Sequence, residues 1–450
     1  MNIDKNKKTN SNSDSPLGVR GKNRSPWSWI PTLYFAQGIP YFLVNMVPVV
    51  VFKDMGVNNA DIARYTSLLY LPWILKMLWS PFVDTNSTKR NWVLGTQLVI
   101  VALFLAFGFA LQLPNFFLAC MVILGLIAFT SATHDVAADG FYMISLTEEH
   151  QSSFAGIRST FYRVSNFFCN SFIVWFAGYL IQHSYSPDKA WTFAYNFAAI
   201  LFALVFLYHK FILPKPALDS LNSAPIADTK VDKPSAKVAF ISFFKQPGII
   251  AVILFILTFR MGEAFLIKLA VPFFKDAREI GGLGFSTEDV GVIYAFGVTA
   301  IIVGGILGGL VVAKFGLKKL IWYMALIINI PTIVYSILAF IRPESISATV
   351  PLVAIEQFSY GFGYTALMIY MMQISKGQYK TTHFAIATGI SALGMMIPGF
   401  FSGELQMTIA NLFPGMGYQY FFLITVVLGI PGIITLLFVP LEGKKQNNPG

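Results

Sequence analysis

Charged residues are scarce in this chain of 450 amino acids, where 12% are Asp, Glu, Lys or Arg and 55% are hydrophobic. Soluble globular domains average about 25% charged residues, so this composition excludes an ordinary soluble domain. The formal net charge is +10, but the basic residues lie in short connectors between apolar runs. We therefore expect a lipid bilayer, and no nucleic acid, to be the partner of these charges.

Cysteine is almost absent, since Cys120 and Cys169 are the two in the chain and both lie within apolar runs. This number excludes a disulfide framework and a CxxC metal site, so we predict that both are packing residues. The sequence also lacks Gly-x-x-x-x-Gly-Lys-Ser/Thr, His-Glu-x-x-His and Gly-x-Ser-x-Gly. These absences argue against an ATP-driven pump and against membrane hydrolases, and we expect no enzyme activity, cofactor or metal.

Long apolar runs are the dominant positive feature of the sequence. About twelve segments contain roughly 20 apolar residues each, the length that a helix needs to cross ~30 Å of hydrocarbon. The sequence thus predicts an all-α integral membrane protein with about twelve transmembrane helices in two six-helix halves. The segments are predicted at 27–52, 62–83, 92–112, 115–143, 154–182, 190–212, 247–274, 288–313, 319–341, 348–374, 382–411 and 418–440.

Polar stretches divide the chain into five parts. The first residues are charged and have no apolar core, which predicts a disordered cytoplasmic tail rather than a signal peptide. Lysine and arginine concentrate in alternate connectors, so the positive-inside rule predicts that both termini are cytoplasmic. The parts are a tail (1–26), an N-terminal half (27–212), a cytoplasmic linker (213–246), a C-terminal half (247–440) and a second cytoplasmic tail (441–450).

Two connectors resemble the loop signature of the major facilitator superfamily, Gly-x-x-x-Asp-Arg-x-Gly-Arg-Lys. They are 80–90, after the second predicted helix, and 309–319, after the eighth. Ser80 replaces the glycine in the first copy, and Ala313 replaces the acid in the second. Because the copies occupy matching positions in the two halves, the resemblance implies the major facilitator superfamily fold.

A closer resemblance, to the AmpG-like permeases, covers nearly the whole chain. It implies a proton-coupled importer of anhydro-muropeptides or related amino-sugar fragments in the bacterial inner membrane, in a branch that includes acetyl-CoA-type transporters. His134 and His383 stand where that family usually has glutamine, which changes the hydrogen bonds offered to cargo or the response to pH. The matching blocks are FAQGIP at 35–40, LKMLWSP at 75–81, SATHD at 131–135, YR at 162–163, MGEAF at 261–265 and THFA at 382–385.

Three acids inside the apolar runs are candidates for proton coupling: Asp135, Asp139 and Glu263. An ionised carboxylate in a membrane helix costs at least ~2.5 kcal/mol, so such residues usually mark a substrate or proton pathway. Asp135 and Asp139 are four residues apart and share a helix face. The alternative is that they pair with Arg158 or Arg163 and hold two helices together. Their spacing also resembles half of the metal site of CDP-alcohol phosphotransferases, but the other half is missing.

The seventh predicted helix carries Arg260, Glu263 and Lys268 in one apolar run. Arg260 and Glu263 are three residues apart and can neutralise each other. The alternative is that Glu263 alternates between this ion pair and a protonated form. Lys268 is predicted to approach the outer end of the helix, where its long side chain reaches the interface. Glu404 is predicted to be a solvated charge at the rim.

The remaining candidates are predicted to contact the substrate. Tyr34, Gln37 and Tyr41 recur at helical spacing and form a stripe that can stack on a sugar ring. For Lys76, a simpler alternative to substrate contact is that its long side chain reaches the membrane interface. For His134, the alternative is that the ring is packed within the bundle. The full set is Tyr34, Gln37, Tyr41, Lys76, His134, Arg163, Arg260, Glu356 and Gln357.

These features together predict a secondary active transporter that imports muropeptides or amino-sugar cell-wall fragments with protons by alternating access. Its partners are then a small-molecule substrate, the proton and the bilayer, and we expect a monomer in the inner membrane. The alternatives are a transporter of another bulky anionic or acylated metabolite, of the acetyl-CoA type, and a drug exporter.

Overall fold

Helices make up nearly all of the chain that the structure describes. The computed structural model describes residues 24–216, 219, 236–375 and 379–441. Most of the predicted tails (1–26 and 441–450) and the centre of the predicted linker (213–246) lie outside these residues. The helices confirm the all-α prediction.

The N-terminal half, defined here as residues 24–216, contains ten helices, and a π-helix (Phe168–Ile173) joins the eighth to the ninth. They are α1 (Ile30–Asn45), α2 (Val47–Asp54), α3 (Asn59–Leu68), α4 (Leu71–Leu75), α5 (Ser80–Asn86), α6 (Lys89–Ala110), α7 (Phe116–Ser145), α8 (Glu148–Phe167), α9 (Val174–Gln182) and α10 (Pro187–Ile212).

The second part of the chain begins with α11 (Ala236–Phe244), which falls within the predicted linker and packs on α18. The C-terminal half, defined here as residues 249–441, contains nine further helices in its described chain. They are α12 (Ile249–Thr258), α13 (Met261–Lys275), α14 (Thr287–Phe315), α15 (Leu317–Asn329), α16 (Ile333–Ile341), α17 (Ile346–Ile374), α18 (Lys380–Leu412), α19 (Gly417–Leu428) and α20 (Ile430–Thr435).

Ten helical segments of the described chain are long and apolar enough to cross a membrane. They coincide with ten of the twelve predicted segments. The segment predicted at 62–83 is instead broken into α3, α4 and α5, and α4 and α5 each have proline in their first turn. Proline lacks the N–H that continues a helix, so it begins these short helices and interrupts the longer one. The segment predicted at 348–374 is one helix, α17, but it is not among the ten.

The two halves meet along close helix contacts in which glycine brings the backbones together. Gly178 of α9 lies against α14, and a Cβ atom there would be 2.1 Å from the backbone nitrogen of Glu288. Gly291 of α14 lies against α9, and a Cβ atom there would be 2.5 Å from the backbone nitrogen of Trp175. Any side chain at either position would push the halves apart. A second contact between the halves joins α3 to α18.

A symmetric set of ion pairs closes the same end of the bundle. The first long segment of each half ends in Lys-Asp: Lys53 and Asp54 end α2, and Lys275 and Asp276 lie at the end of α13. Lys53 pairs with Asp276, and the Lys275 ammonium lies 2.6 Å from the Asp54 carboxylate. We call these four residues the Lys–Asp clasp. Each half gives one cation and one anion, so the clasp buries no net charge.

Candidate functional site: a cavity between the two halves

The candidate site is a cavity of about 420 Å³ whose walls come from both halves. The N-terminal half contributes α1, α2, α4, α8, the π-helix and the chain between α3 and α4. The C-terminal half contributes α13, α14, α16, α17 and α18. A cavity between two helical halves is a common position for a small-molecule site, because both halves can contact the ligand.

Breaks in the helices position several of the lining groups. Met46 separates α1 from α2, and Tyr70 lies between α3 and α4. Asn170 belongs to the π-helix, and Arg260 lies outside regular helix geometry between α12 and α13. All four residues line the cavity. Interrupted helices are typical of transporter binding sites, because an unwound turn directs side chains and backbone groups into the cavity.

Arg260 and Glu263 form a bidentate ion pair in the wall of the cavity. The guanidinium Nε lies 2.9 Å from Glu263 Oε2, and one terminal nitrogen lies 3.1 Å from Oε1. The same nitrogen donates to the Tyr360 hydroxyl at 2.7 Å. The pair is therefore present as its three-residue spacing predicts, and each charge is already neutralised before any cargo enters.

Tyrosine rings form the aromatic part of the wall. The Arg260 guanidinium lies 4.6 Å from the ring centre of Tyr364 and 5.2 Å from that of Tyr360. On the opposite half, Tyr41 contacts Trp73 edge to face with ring centres 5.1 Å apart. These rings provide flat apolar surface next to polar groups, which suits a sugar or a peptide.

Glu356 and Gln357 lie together on α17 and both line the cavity. Glu356 is buried, and its carboxylate accepts a hydrogen bond of 2.6 Å from the Gln357 amide. In the described chain no Lys or Arg lies within ion-pair distance of Glu356. This acid thus differs from Glu263, which has Arg260 beside it.

Arg163 lines the cavity from α8 and has no acidic partner among the residues that the structure describes. Its guanidinium lies against α14, because a Cβ atom at Gly305 would be 3.2 Å from one of its nitrogens. The predicted pairing of Arg163 with Asp135 or Asp139 is therefore wrong. The side chain reaches across to the other half instead.

Lys268 lies inside the bundle, and the prediction that it reaches the interface is wrong. Its exposed fraction is 3%, and it lines the cavity. The ammonium donates to the Thr66 hydroxyl at 3.0 Å and lies 5.3 Å from the ring centre of Tyr70. The prediction failed because α13 continues to Lys275, and Lys275 is the lysine at the end of the helix.

Asp135 lies in a polar cluster outside the lining of the cavity. Its Oδ2 accepts from the Trp73 indole at 3.0 Å and from Lys76 at 3.5 Å. The partner of Asp135 is therefore Lys76, not an arginine of α8. Lys76 is 35% exposed and does not line the cavity either.

Asp139 pairs with Arg158, as one of the predicted alternatives has it. One nitrogen of the guanidinium lies 2.9 Å from Asp139 Oδ1, and the Tyr34 hydroxyl donates to the same oxygen at 3.2 Å. Arg158 also lies 4.6 Å from the ring centre of Tyr34. None of these residues lines the cavity, so the predicted stripe of Tyr34, Gln37 and Tyr41 contributes Tyr41 alone.

His134 belongs to a buried chain of hydrogen bonds within the N-terminal half. Its Nε2 lies 3.2 Å from the Gln97 amide nitrogen, which lies 2.9 Å from His209 Nδ1. His209 Nε2 lies 3.0 Å from the Thr32 hydroxyl. The chain joins α1, α6, α7 and α10, so His134 connects helices rather than lining the cavity. His383 likewise bonds Ser242 and Gln246 beside α11.

The structure thus divides the predicted site residues into two groups. Six line the cavity: Tyr41, Arg163, Arg260, Glu263, Glu356 and Gln357. Six lie outside its lining: Tyr34, Gln37, Lys76, His134, Asp135 and Asp139. Sequence reasoning missed the contribution of Tyr70, Tyr360 and Tyr364, because aromatic residues are too frequent in membrane helices to mark a site. Glu404, predicted at the rim, pairs with Arg64 and is 47% exposed.

Long apolar helices in two halves, with a cavity walled by both, define a membrane transporter rather than an enzyme. The chain belongs to the Major Facilitator Superfamily, whose family model matches residues 30–400. Among curated proteins, it is 26% identical over 416 residues to the anhydromuropeptide permease of Escherichia coli (strain K12), covering 90% of this chain and 78% of the relative. The predicted resemblance to AmpG-like permeases is thereby confirmed.

Further relatives and solved structures agree with this family. The putative transporter AmpG 4 of Rickettsia felis (strain ATCC VR-1525 / URRWXCal2) is 24% identical over 436 residues, covering 92% of this chain and 96% of the relative. A D-xylose-proton symporter has a similar fold, with a TM-score of 0.67 and 12% identity over 92% of this chain and 97% of that chain. A nucleoside transporter also has a TM-score of 0.67, with 11% identity over 92% of this chain and 99% of that chain.

Proposed function

We propose that this protein is a secondary transporter that imports anhydro-muropeptides or related amino-sugar cell-wall fragments together with protons. The cavity between the halves is the observation that carries this proposal, because it joins aromatic rings to amide and charged groups. Rings stack on sugars, and the polar groups suit acidic and amide substituents. The name of the Escherichia coli relative, anhydromuropeptide permease, supports the same class of cargo.

Transport by alternating access is part of the proposal. The Lys–Asp clasp and the glycine contacts hold the two halves together at one end of the bundle. Opening the clasp while the opposite end closes would expose the cavity to the other side of the membrane. Cargo and proton then shift the balance between the two conformations through their unequal affinities for each.

We assign proton coupling to Glu263 among the three predicted acids. Glu263 lines the cavity, and its two bonds hold Arg260 in place. Protonation of this carboxyl would remove its charge and free the guanidinium to donate to oxygen atoms of the cargo. Asp135 and Asp139 lie outside the cavity lining and have partners of their own.

Right-side-out membrane vesicles with an imposed inward proton gradient test the proposal. We expect them to accumulate labelled anhydro-N-acetylmuramyl compounds and to lose that accumulation on addition of a protonophore. Glu263→Gln should abolish accumulation but keep exchange across a dissipated gradient, because exchange needs no net proton movement. Glu404→Gln is the matched control, since Glu404 is a paired acid outside the cavity, and it should retain accumulation.

Two results would overturn the proposal. If no muramyl or glucosaminyl compound is taken up or competes for uptake, then the cargo class is wrong and the acetyl-CoA-type or exporter alternative gains support. If Glu263→Gln still accumulates cargo against its gradient, then the coupling proton binds elsewhere.

A further inference from the structure

Lys268 is the most deeply buried Lys or Arg of the described chain, and, like the less buried Arg163, it has no carboxylate beside it. Lys53 and Lys275 pair with the aspartates of the clasp, and Arg260 pairs with Glu263. Lys268 is more buried than these residues, yet within the described chain its ammonium contacts the Thr66 hydroxyl and the face of the Tyr70 ring and no acid. A buried charge without a counter-charge costs several kcal/mol in general, so a carboxylate on the cargo would stabilise the charged form of this lysine.

The surroundings of Lys268 contain a second unsatisfied polar group. Ser67 is fully buried, and its hydroxyl finds no hydrogen-bond partner in the described chain. Lys268 and Ser67 both lie against Gly399 of α18, since a Cβ atom there would be 3.4 Å from Lys268 Cγ and 2.8 Å from Ser67 Oγ. Ser67 is not part of the cavity lining, so Lys268 is the group of this cluster that cargo in the cavity can reach.

We infer that Lys268, positioned by its bond to Thr66, holds a carboxylate of the cargo. The inference rests on the proposed function and assigns the anionic end of the cargo to the α13 side of the cavity. Arg260 is the weaker candidate for this role, because Glu263 neutralises it and one of its terminal nitrogens donates to both Glu263 and Tyr360. The ammonium has three donors and Thr66 takes one, so two remain for a carboxylate.

The test compares two probes on the purified full-length protein. Anhydro-N-acetylmuramic acid carries a lactyl carboxylate, and its methyl ester has nearly the same shape without the charge. We expect wild type to bind the acid about 10- to 100-fold more tightly than the ester, the range of one charge-assisted hydrogen-bonded pair. Lys268→Met should bind both probes equally, at the affinity of wild type for the ester. Ester binding by the variant also shows that it is folded.

The matched control is Lys318→Met, which replaces an exposed lysine of α15 outside the cavity lining and the clasp. It should keep the acid-to-ester ratio of wild type. A Lys268 that only braces α13 against α3 would predict equal losses for acid and ester in Lys268→Met, with the ratio unchanged. That result, or equal binding of the two probes by wild type, would overturn the inference while leaving the proposed function intact. Failure of wild type to bind either probe would instead count against the proposed function.

Discussion

Asp135 shows how a membrane carboxylate is stabilised without taking part in the cavity. Its Oδ2 has two donors from a short stretch of chain, the Trp73 indole and the Lys76 ammonium. Both lie in or next to α4, which exists as a separate helix because Pro72 begins it. The broken second transmembrane segment therefore brings these donors to α7.

Asp135→Asn should destabilise the protein because it leaves Lys76 without its counter-charge. Lys76 is 35% exposed, so water compensates part of the loss and we expect about 1 kcal/mol. In the double variant Asp135→Asn with Lys76→Gln, the free energy of unfolding and the uptake of labelled cargo should return to most of their wild-type values. The reason is that no unpaired charge then remains. Thermal unfolding in detergent and labelled-cargo uptake are the measurements. Uptake that stays lost in the stable double variant would instead give Asp135 a direct role in transport.

Residue-scale prediction from sequence succeeded where partners are close in the chain. The Arg260–Glu263 pair follows from a spacing of three residues on one helix. The partner of Asp135 could not be found this way, because Lys76 is 59 residues earlier in the chain. The same limit applies to Lys268, whose surroundings come from α3 and α18.

The two ion pairs of the clasp lie at helix ends, whereas a third described pair between the halves, Arg64–Glu404, lies within α3 and α18. The clasp has the same dipeptide, Lys-Asp, at the ends of α2 and α13. Its charges are reinforced by neutral groups, since Thr287 donates to Asp54 and Asn59 donates to Asp276. Trp191 also donates to Asp54 at 2.8 Å. The repeated Lys-Asp dipeptide is visible in the sequence. It led to no prediction, because a lysine followed by an aspartate adds no net charge to a connector.

Removal of both clasp lysines should open this end of the bundle. Lys53→Gln with Lys275→Gln leaves two carboxylates from opposite halves, which repel each other where they were neutralised before. A decrease of about 1.4 kcal/mol in the free energy that favours the closed conformation changes the ratio of closed to open molecules tenfold. We expect a cysteine at Asn170, in a background without Cys120 and Cys169, to react about tenfold faster with an impermeant thiol reagent reaching the clasp end.

Arg278→Gln is the control for that experiment. Arg278 lies at the same end, but it donates to backbone carbonyls of its own half, among them Pro343 at 3.1 Å. The cysteine at position 170 should therefore react at the unmodified rate in this variant. An equal rate in the clasp variant and in the control would mean that the lysines do not hold the halves together.

Prediction of whole elements depended on length and hydropathy. Ten segments met both conditions and are continuous or nearly continuous helices in the structure. The break at Met46 resembles those before α4 and α5, since Pro48 lies in the first turn of α2. The break at Arg260 was not predicted, because it interrupts an apolar run and the first turn of α13 contains no proline. Such breaks arise from packing between helices, which a single apolar pattern does not encode.

The whole molecule consists of two halves joined by a chain segment of which the described part includes α11. The orientation in the membrane remains a prediction from the distribution of lysine and arginine. It places the linker in the cytoplasm and the clasp end outside. Glu279 is an exposed residue at the clasp end, so it suits a labelling experiment.

Cysteine labelling in intact cells tests this orientation. We expect Glu279→Cys to react with an impermeant thiol reagent, because it lies on the outer side. Ser223→Cys in the linker should react only after the membrane is permeabilised. The reverse pattern would mean that the chain is inserted the other way and that the clasp closes the cytoplasmic end.

One contact between the halves also gives the protein an optical reporter. The indole of Trp175 in α9 donates to Glu288 of α14 at 3.0 Å, beside the glycines through which these helices touch. Indole emission depends on the polarity around the ring and on the charge near it. Separation of the halves would replace the carboxylate with water, so the emission of Trp175 should shift as the clasp end opens. The difference in emission between the unmodified protein and Trp175→Phe isolates this signal and leaves Trp73 and Trp191, which bond Asp135 and Asp54, in place.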